Sequence, residues 1–335
     1  MRIVIIGSRG FDSLEYNLNE AFNYNGYECE IFDIYDYWYY NKSRLKTITR
    51  NLDVLCRRYS DKYDNSVFER LGKRILDHKP DLVIGVYRFI HPLLVRRIKE
   101  AKIKIVHINP DALTTFELQQ LFVEPYDVYF TKDTYILQFM RDNLKLNVKW
   151  YNEAFNTRIH TKPVENKEIL EGKYNIDVLA FGNLYPYRNR MLYYLNAHDI
   201  SVTIYGSKCR FFLSELDDAF QHKYIVGKEK SEILYGSKIV FNNLHYAEIE
   251  SVNNKFFEIN GSGAFQLCDY RPILKDLLPI DPELVSYKNI DDAIDKIRYY
   301  LKNPQERYEI CNAIYTHFQS RYNYDVLINY ILDNI

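Results

Sequence analysis

The sequence predicts an α/β protein of two Rossmann-like, doubly wound domains facing a central cleft, and three observations carry that prediction. The chain has 335 residues, more than one hydrophobic core usually serves, so two domains of roughly 150 residues each are expected. Short apolar, strand-like runs alternate with helical periodicity in both halves, the pattern of a parallel sheet covered by helices. Between the halves, from about Asn152 to Tyr174, the periodicity lapses in a polar stretch containing Pro163, which reads as an interdomain connection.

The elements follow in order. Arg2 to Ile6 opens the chain as a buried strand, and Cys29 to Ile34 is the second. Asp12 with Glu15 three residues later reads as N-cap and capping-box partner of the helix between them. This places Gly7 to Phe11 in the loop after the first strand, where such folds hold ligands. Further strands are expected at Leu82 to Val86, Ile103 to Ile108, Asp127 to Phe130 and Val148 to Tyr151, with His91, His107 and Asp111 at or just past strand ends. The second half repeats the cycle at Asp177 to Phe181, Ser201 to Tyr205, Lys238 to Phe241 and Ala264 to Cys268, with Gly182 and Gly206 where strand-to-loop turns are needed. Ile290, Ala293, Ile294 and Ile297 then keep a helical period, and Asn303-Pro304 with Glu306 opens another helix. The expected domains are residues 1–160 on the acceptor side and 175–317 on the donor side, with a terminal helix over about 318–335 packing back on the first.

Composition narrows the classes. Hydrophobic residues make up 47% and charged residues 27%, ordinary for a globular protein, and the 32 Tyr and 19 Phe read mainly as core. Cys29, Cys56, Cys209, Cys268 and Cys311 are odd in number and contain no C-x-x-C pair, so neither a disulfide framework nor a zinc site is expected. Met1 leads directly into a strand, and no apolar run reaches the ~18 residues that span a bilayer; a cytoplasmic protein, peripheral on the inner face of the membrane, is expected. Residues 42–104 hold 17 Lys or Arg against 7 Asp or Glu, a local charge of +10 in a chain whose net charge is −1. Such a segment suits an anionic membrane or a phosphorylated substrate. No nucleic-acid partner is expected, since no recognised binding motif accompanies it.

The chain has no P-loop, nucleophile elbow, H-E-x-x-H or full G-x-G-x-x-G motif. Its informative region runs from Glu250 to Tyr270. Glu250 and Glu258 bracket an expected helix that ends in Gly261-Ser262-Gly263 before a buried strand. Eight residues of helix rise about 12 Å, so the two carboxylates suit a long ligand rather than one atom. A carboxylate accepts from paired ribose hydroxyls, and the amides of Gly261 to Gly263 are free to approach a diphosphate. A surface helix with a glycine C-cap fits the same residues.

Three motifs carry a resemblance. Phe181-Gly182-Asn183-Leu-Tyr-Pro186-Tyr-Arg188 resembles "F-x-G-x-x-x-P-x-R", Asn253-Asn-Lys255-Phe-Phe257-Glu258 resembles "N-x-R-x-F-E", and Gly263 to Tyr270 resembles "G-G-x-x-L-x-D-Y". The segment from about Asp177 to Tyr330 thereby resembles the CgeB-like, spore-maturation-type enzymes and the group 1 glycosyl transferases of the GT-B superfamily. The resemblance implies a glycosyltransferase whose UDP- or GDP-linked donor lies against the C-terminal domain at Gly182, Asn183, Arg188, Gly206, Asn253, Lys255, Glu258, Gly261, Ser262 and Gly263. Glu258 would accept the ribose hydroxyls and Arg188 would lie near the phosphates, while Lys255 replaces the expected arginine and loses its two-pronged grip. Glu250 matches the first acid of the Glu, seven residues, Glu pattern of related retaining enzymes. Departure of the nucleoside diphosphate builds charge that Arg188 and Lys255 would stabilise. The remaining catalytic candidates are His107, Asp111 and His245, and His107 equally fits a core histidine. No two aspartates are separated by a single residue, so the metal-holding pair of the other large glycosyltransferase fold is missing; no metal and no cofactor besides the donor is expected. The expected acceptor is a glycan or lipid-linked glycan of the bacterial surface. A sugar-nucleotide epimerase, or a nucleotide-binding scaffold without chemistry, fits the same motifs.

Overall fold

The computed structural model describes residues 1–39, 46–86, 89–111 and 119–335. The basic segment 42–104 therefore lies partly outside the described residues. Two units divide the chain, residues 1–152 with 327–335, and residues 153–326.

The N-terminal unit runs β1 (Arg2–Gly7), α1 (Leu14–Tyr24), β2 (Glu28–Asp33), α2 (Lys46–Tyr59), α3 (Asp61–His78), β3 (Leu82–Val86), α4 (Pro92–Glu100), β4 (Lys104–Asn109), β5 (Val128–Thr131), α5 (Thr134–Gln138) and β6 (Val148–Trp150). Its six strands are parallel in the order β2-β1-β3-β4-β5-β6. Every residue of β3 is buried, as a continuous apolar run requires when helices cover both faces. The first helix is capped by Ser13, whose side chain accepts the Tyr16 amide, and not by Asp12, whose φ of 65° is left-handed. Glu15 is also reassigned: it turns back to accept the Ser8 amide at 3.0 Å.

The C-terminal unit runs α6 (Lys167–Tyr174), β7 (Ile176–Leu184), α7 (Pro186–Ala197), β8 (Val202–Lys208), α8 (Gly227–Tyr235), β9 (Ser237–Asn242), α9 (Asn254–Gly261), β10 (Gln266–Asp269), α10 (Leu274–Leu277), β11 (Ser286–Tyr287), α11 (Ile290–Lys302) and α12 (Pro304–Arg321); a last helix, α13 (Tyr324–Asp333), closes the chain. The parallel order β11-β10-β9-β7-β8 reverses direction between β7 and β9, and the carboxyl ends of strands at such a reversal form the crevice where α/β sheets bind ligands. The polar stretch before β7 is structured: Phe155 is fully buried, and α6 is capped by Asn166. From Leu327 onward the chain packs with the N-terminal unit, where the Tyr330 hydroxyl donates to the Trp150 carbonyl at 2.7 Å. Among the described residues no helix is long and apolar enough to cross a membrane.

Arg307 of α12 ties the C-terminal unit together. Fully buried, it grips both oxygens of Glu171 at 2.7 and 3.1 Å and donates to the carbonyls of Tyr300 and Lys238. Removing one partner of a buried pair strands the other charge. Arg307→Ala is therefore expected to lower stability by about 3–5 kcal/mol, read as a lower urea midpoint of the full chain. The exposed Arg321→Ala should stay within about 0.5 kcal/mol.

Candidate functional site

The sequence makes a cationic corner at the carboxyl end of β7. Gly182 and Gly206 do not sit in turns as expected: they pair with each other inside the β7–β8 ladder, with φ of 97° and 137°. A Cβ on Gly206 would lie 2.0 Å from the Gly182 carbonyl oxygen, and one on Gly182 would meet the Lys255 ammonium at 2.4 Å. Only glycine at both positions lets the two backbones and the lysine converge.

Two cations fill the space so opened. Arg188, in the first turn of α7, donates through Nη1 to the carbonyls of Asn183 (2.8 Å) and Phe181 (3.3 Å), and through Nε and Nη2 to the side chain and carbonyl of Asn243 (2.7 and 3.2 Å). Lys255, in the first turn of α9, donates to the same Phe181 carbonyl and lies over the Phe181 ring at 4.7 Å. Both side chains are half-buried, and among the described residues neither forms an ion pair with a carboxylate. Desolvation, and then the neighbouring Arg188, hold Lys255 well below the ordinary lysine range; desolvation also lowers Arg188. Each cation stands at a helix N-terminus, where unpaired amides and the helix dipole already favour negative charge. The corner is therefore built for an anion.

The surrounding side chains fix this geometry. Asn253, expected to touch a nucleotide, caps α9 by accepting the Phe256 amide at 3.1 Å and exchanges reciprocal hydrogen bonds with Asn242. Asp269, at the end of β10, accepts from the Leu244 amide and from the Tyr287 hydroxyl at 3.1 Å, anchoring the loop after β9; burial raises its pKa. That loop carries His245 and Glu250 at the same end of the sheet as Arg188. His245 is exposed, stacks on Tyr246 at 4.5 Å and meets Tyr185 edge-on.

Several expectations need correction. Glu250 lies in the loop, outside α9, so the rise of one continuous helix does not separate it from Glu258. Glu258 is 4% exposed, with its oxygens held by Lys230 of α8 at 2.9 Å and Asn254 at 2.8 Å, and with His160 Nε2 3.7 Å away. Gly261, Ser262 and Gly263 are not a diphosphate loop. They stand at the carboxyl end of α9, where the dipole repels anions, and lead into the amino end of β10. A Cβ on Gly261 would meet the Phe155 ring at 2.3 Å, and the buried Ser262 hydroxyl donates to the Glu258 carbonyl. In the N-terminal unit His107 is 1% exposed, packed edge-on against Tyr126 at 5.1 Å, and burial lowers its pKa to about 3. That neutral imidazole is a core residue. His91 caps α4, its Nδ1 accepting the Leu93 amide, and Asp111 is partly exposed just past β4.

Sequence reasoning missed Asn243, Lys230, His160 and Asp269 as supports of the site. Asn243 was findable, since it directly follows the strand beside the reversal point; Lys230 and His160 reach the site from elements with no motif of their own.

The glycine pair gives a sharp expectation. Gly206→Ala should lower stability by at least about 1–3 kcal/mol, because left-handed strain and a backbone clash coincide. Gly172→Ala, exposed in α6 with nothing within 4 Å of the added Cβ, should raise it by about 0.4–1 kcal/mol. Thermal melting of the two variants checks the contrast; equal melting temperatures would mean that the β7–β8 approach is not tight.

Residues 188–333 match the family described as "Glycosyl transferase-like". No curated protein sequence matches the chain. Among solved structures, sucrose-phosphate synthase from Thermosynechococcus elongatus is similar with a TM-score of 0.70 at 10% identity, over 99% of this chain and 98% of that one. HepE of Anabaena, in complex with UDP-glucose, is similar with a TM-score of 0.69 at 11% identity over all of both chains. The lipopolysaccharide outer core galactosyltransferase WaaB, in its apo form, gives 0.60 at 12% identity, again over all of both chains. Residues 188–333 are thus glycosyl transferase-like in sequence, and the chain along its whole length has the two-sheet fold that these solved structures share.

Proposed function

We propose that the protein transfers a sugar from a UDP- or GDP-linked donor, whose diphosphate is held by Arg188 and Lys255, to a glycan or lipid-linked acceptor in bacterial surface polysaccharide synthesis. One observation carries this reading: two half-buried cations without a carboxylate meet at two helix N-termini, on the carboxyl edge of β7. As the nucleoside diphosphate leaves, negative charge grows on its phosphates, and cations already fixed by backbone carbonyls stabilise that charge without reorganising. This arrangement supports transfer without a metal or a further cofactor. The donor class is supported by HepE, similar in fold and bound to UDP-glucose; the surface-glycan acceptor by WaaB, a galactosyltransferase of the lipopolysaccharide outer core.

Glu258, held by Lys230, is the proposed ribose acceptor, and His245 and Glu250 are the proposed groups near the donor sugar, since one loop carries both beside Arg188. Asp111 is the proposed base of the N-terminal unit, in place of the buried His107.

The test is calorimetric titration of the full chain with UDP, GDP and CDP. One nucleotide should bind, and Arg188→Ala and Lys255→Gln should each weaken it about 10–100-fold, the range of a lost hydrogen bond to a charged group. The proton balance adds a sign. Desolvation depresses the Lys255 pKa and a bound diphosphate raises it, so between the two values binding takes up a proton and weakens as pH rises through the bound-state value. Titrations across that window, in buffers of different ionisation enthalpy at matched pH, should show that uptake in the wild type and not in Lys255→Gln. No binding by any of the three, or equal binding by the variants, would count against the proposed site.

A further inference from the structure

Among its described side chains, from residue 51 onward, helix α2 has its polarity reversed. Asp53 and Arg57, one turn apart, face the protein. Asp53 is fully buried and accepts from the Tyr63 hydroxyl; Arg57 donates to Asp64 at 2.8 Å, with its guanidinium over the Trp38 and Phe89 rings at 5.3 and 4.9 Å. On the other side, Leu52, Leu55 and Tyr59 follow the three- and four-residue spacing of one helix face and are 44%, 52% and 76% exposed. A surface helix of a globular domain puts its apolar stripe on the core and its charges in water. Here Asp53 and Arg57 are spent on internal contacts, and Leu52, Leu55 and Tyr59 are left outward.

We infer that this face of α2 docks on an anionic lipid surface. The charge of its surroundings selects that occupant. Arg58 stands exposed beside the stripe in the last turn of the helix, and the sequence that contains the helix carries the +10 excess of residues 42–104. An apolar helix face flanked by basic residues lies in the headgroup region of a bilayer, with affinity set by its apolar area and by attraction to anionic lipid. A second copy of the chain is the poorer occupant, because pairing two such faces would bring two strongly basic segments together. The inference deepens the transfer reading by putting the acceptor at a membrane surface, and that part rests on the reading. The lipid contact itself is measured without nucleotide, so the two fail separately.

The experiment is co-sedimentation of the full chain with sucrose-loaded vesicles of equimolar phosphatidylglycerol and phosphatidylcholine, and with vesicles of phosphatidylcholine alone. The chain should sediment with the anionic vesicles, less so as salt is raised, and much less with the neutral ones. The double variant Leu52→Ser, Leu55→Ser should lose at least about tenfold in partitioning, and Arg58→Glu should weaken binding to the anionic vesicles. Both substitute exposed positions, and an unchanged melting temperature shows that they fold. A wild type that stays in the supernatant, or a serine variant that binds as well as wild type, overturns the inference. So does concentration-dependent dimerisation in the ultracentrifuge that the serine variant abolishes while vesicle binding is absent.

Discussion

The C-terminal unit is organised around a charge it does not neutralise. Its sheet brings the carbonyls of Phe181 and Asn183 to the point where strand order reverses, and two helices begin there with a cation each in the first turn. The same unit shows what a satisfied buried cation looks like. Arg307 has a carboxylate gripping both arms of its guanidinium, and Tyr308 and Lys167 complete the network around Glu171. Among the described residues Arg188 and Lys255 have carbonyl oxygens alone as acceptors apart from the Asn243 amide, and they repel each other. Partial neutralisation by backbone is enough to hold their geometry and leaves most of their charge for a ligand, which is the condition for electrostatic preorganisation.

The corner also explains the glycines. Gly182 and Gly206 keep β7 and β8 paired through a stretch where both backbones are left-handed, extending each strand past the point where the apolar run ends. That extension brings the Asn183 carbonyl into reach of Arg188. Asp269 and Asn253 then fix the loop after β9 and the start of α9.

Much of the fold was legible because buried parallel strands announce themselves as short apolar runs, and most named strands fall within a few residues of expectation. What escaped were features set by tertiary contact. β11 has two residues, too few for any period. Asp12 and Ser13 are both competent caps, and only the left-handed backbone at Asp12 decides between them. The Gly261-Ser262-Gly263 segment looks like a phosphate loop by composition, yet its position at the end of a helix rather than the start reverses the sign of the field it offers. Arg188, Lys255 and Glu258 were legible through their motifs. Lys230 and His160, which reach Glu258 across the fold, were not, since partners distant in sequence leave no local pattern.

The chain also divides its charge by task. In the C-terminal unit cations are drawn inward to a strand edge; in α2 of the N-terminal unit Asp53 and Arg57 are drawn inward and Leu52 and Leu55 are turned out. Both arrangements invert the usual placement of polarity.

The central claim, that the β7 corner is the diphosphate site, is tested most directly by a crystal structure of the chain grown with UDP and, in parallel, with GDP. The account predicts phosphate density within hydrogen-bond reach of Arg188 and Lys255 at the amino ends of α7 and α9. Phosphates seated instead against Gly261 to Gly263, or anywhere remote from both cations, would contradict it.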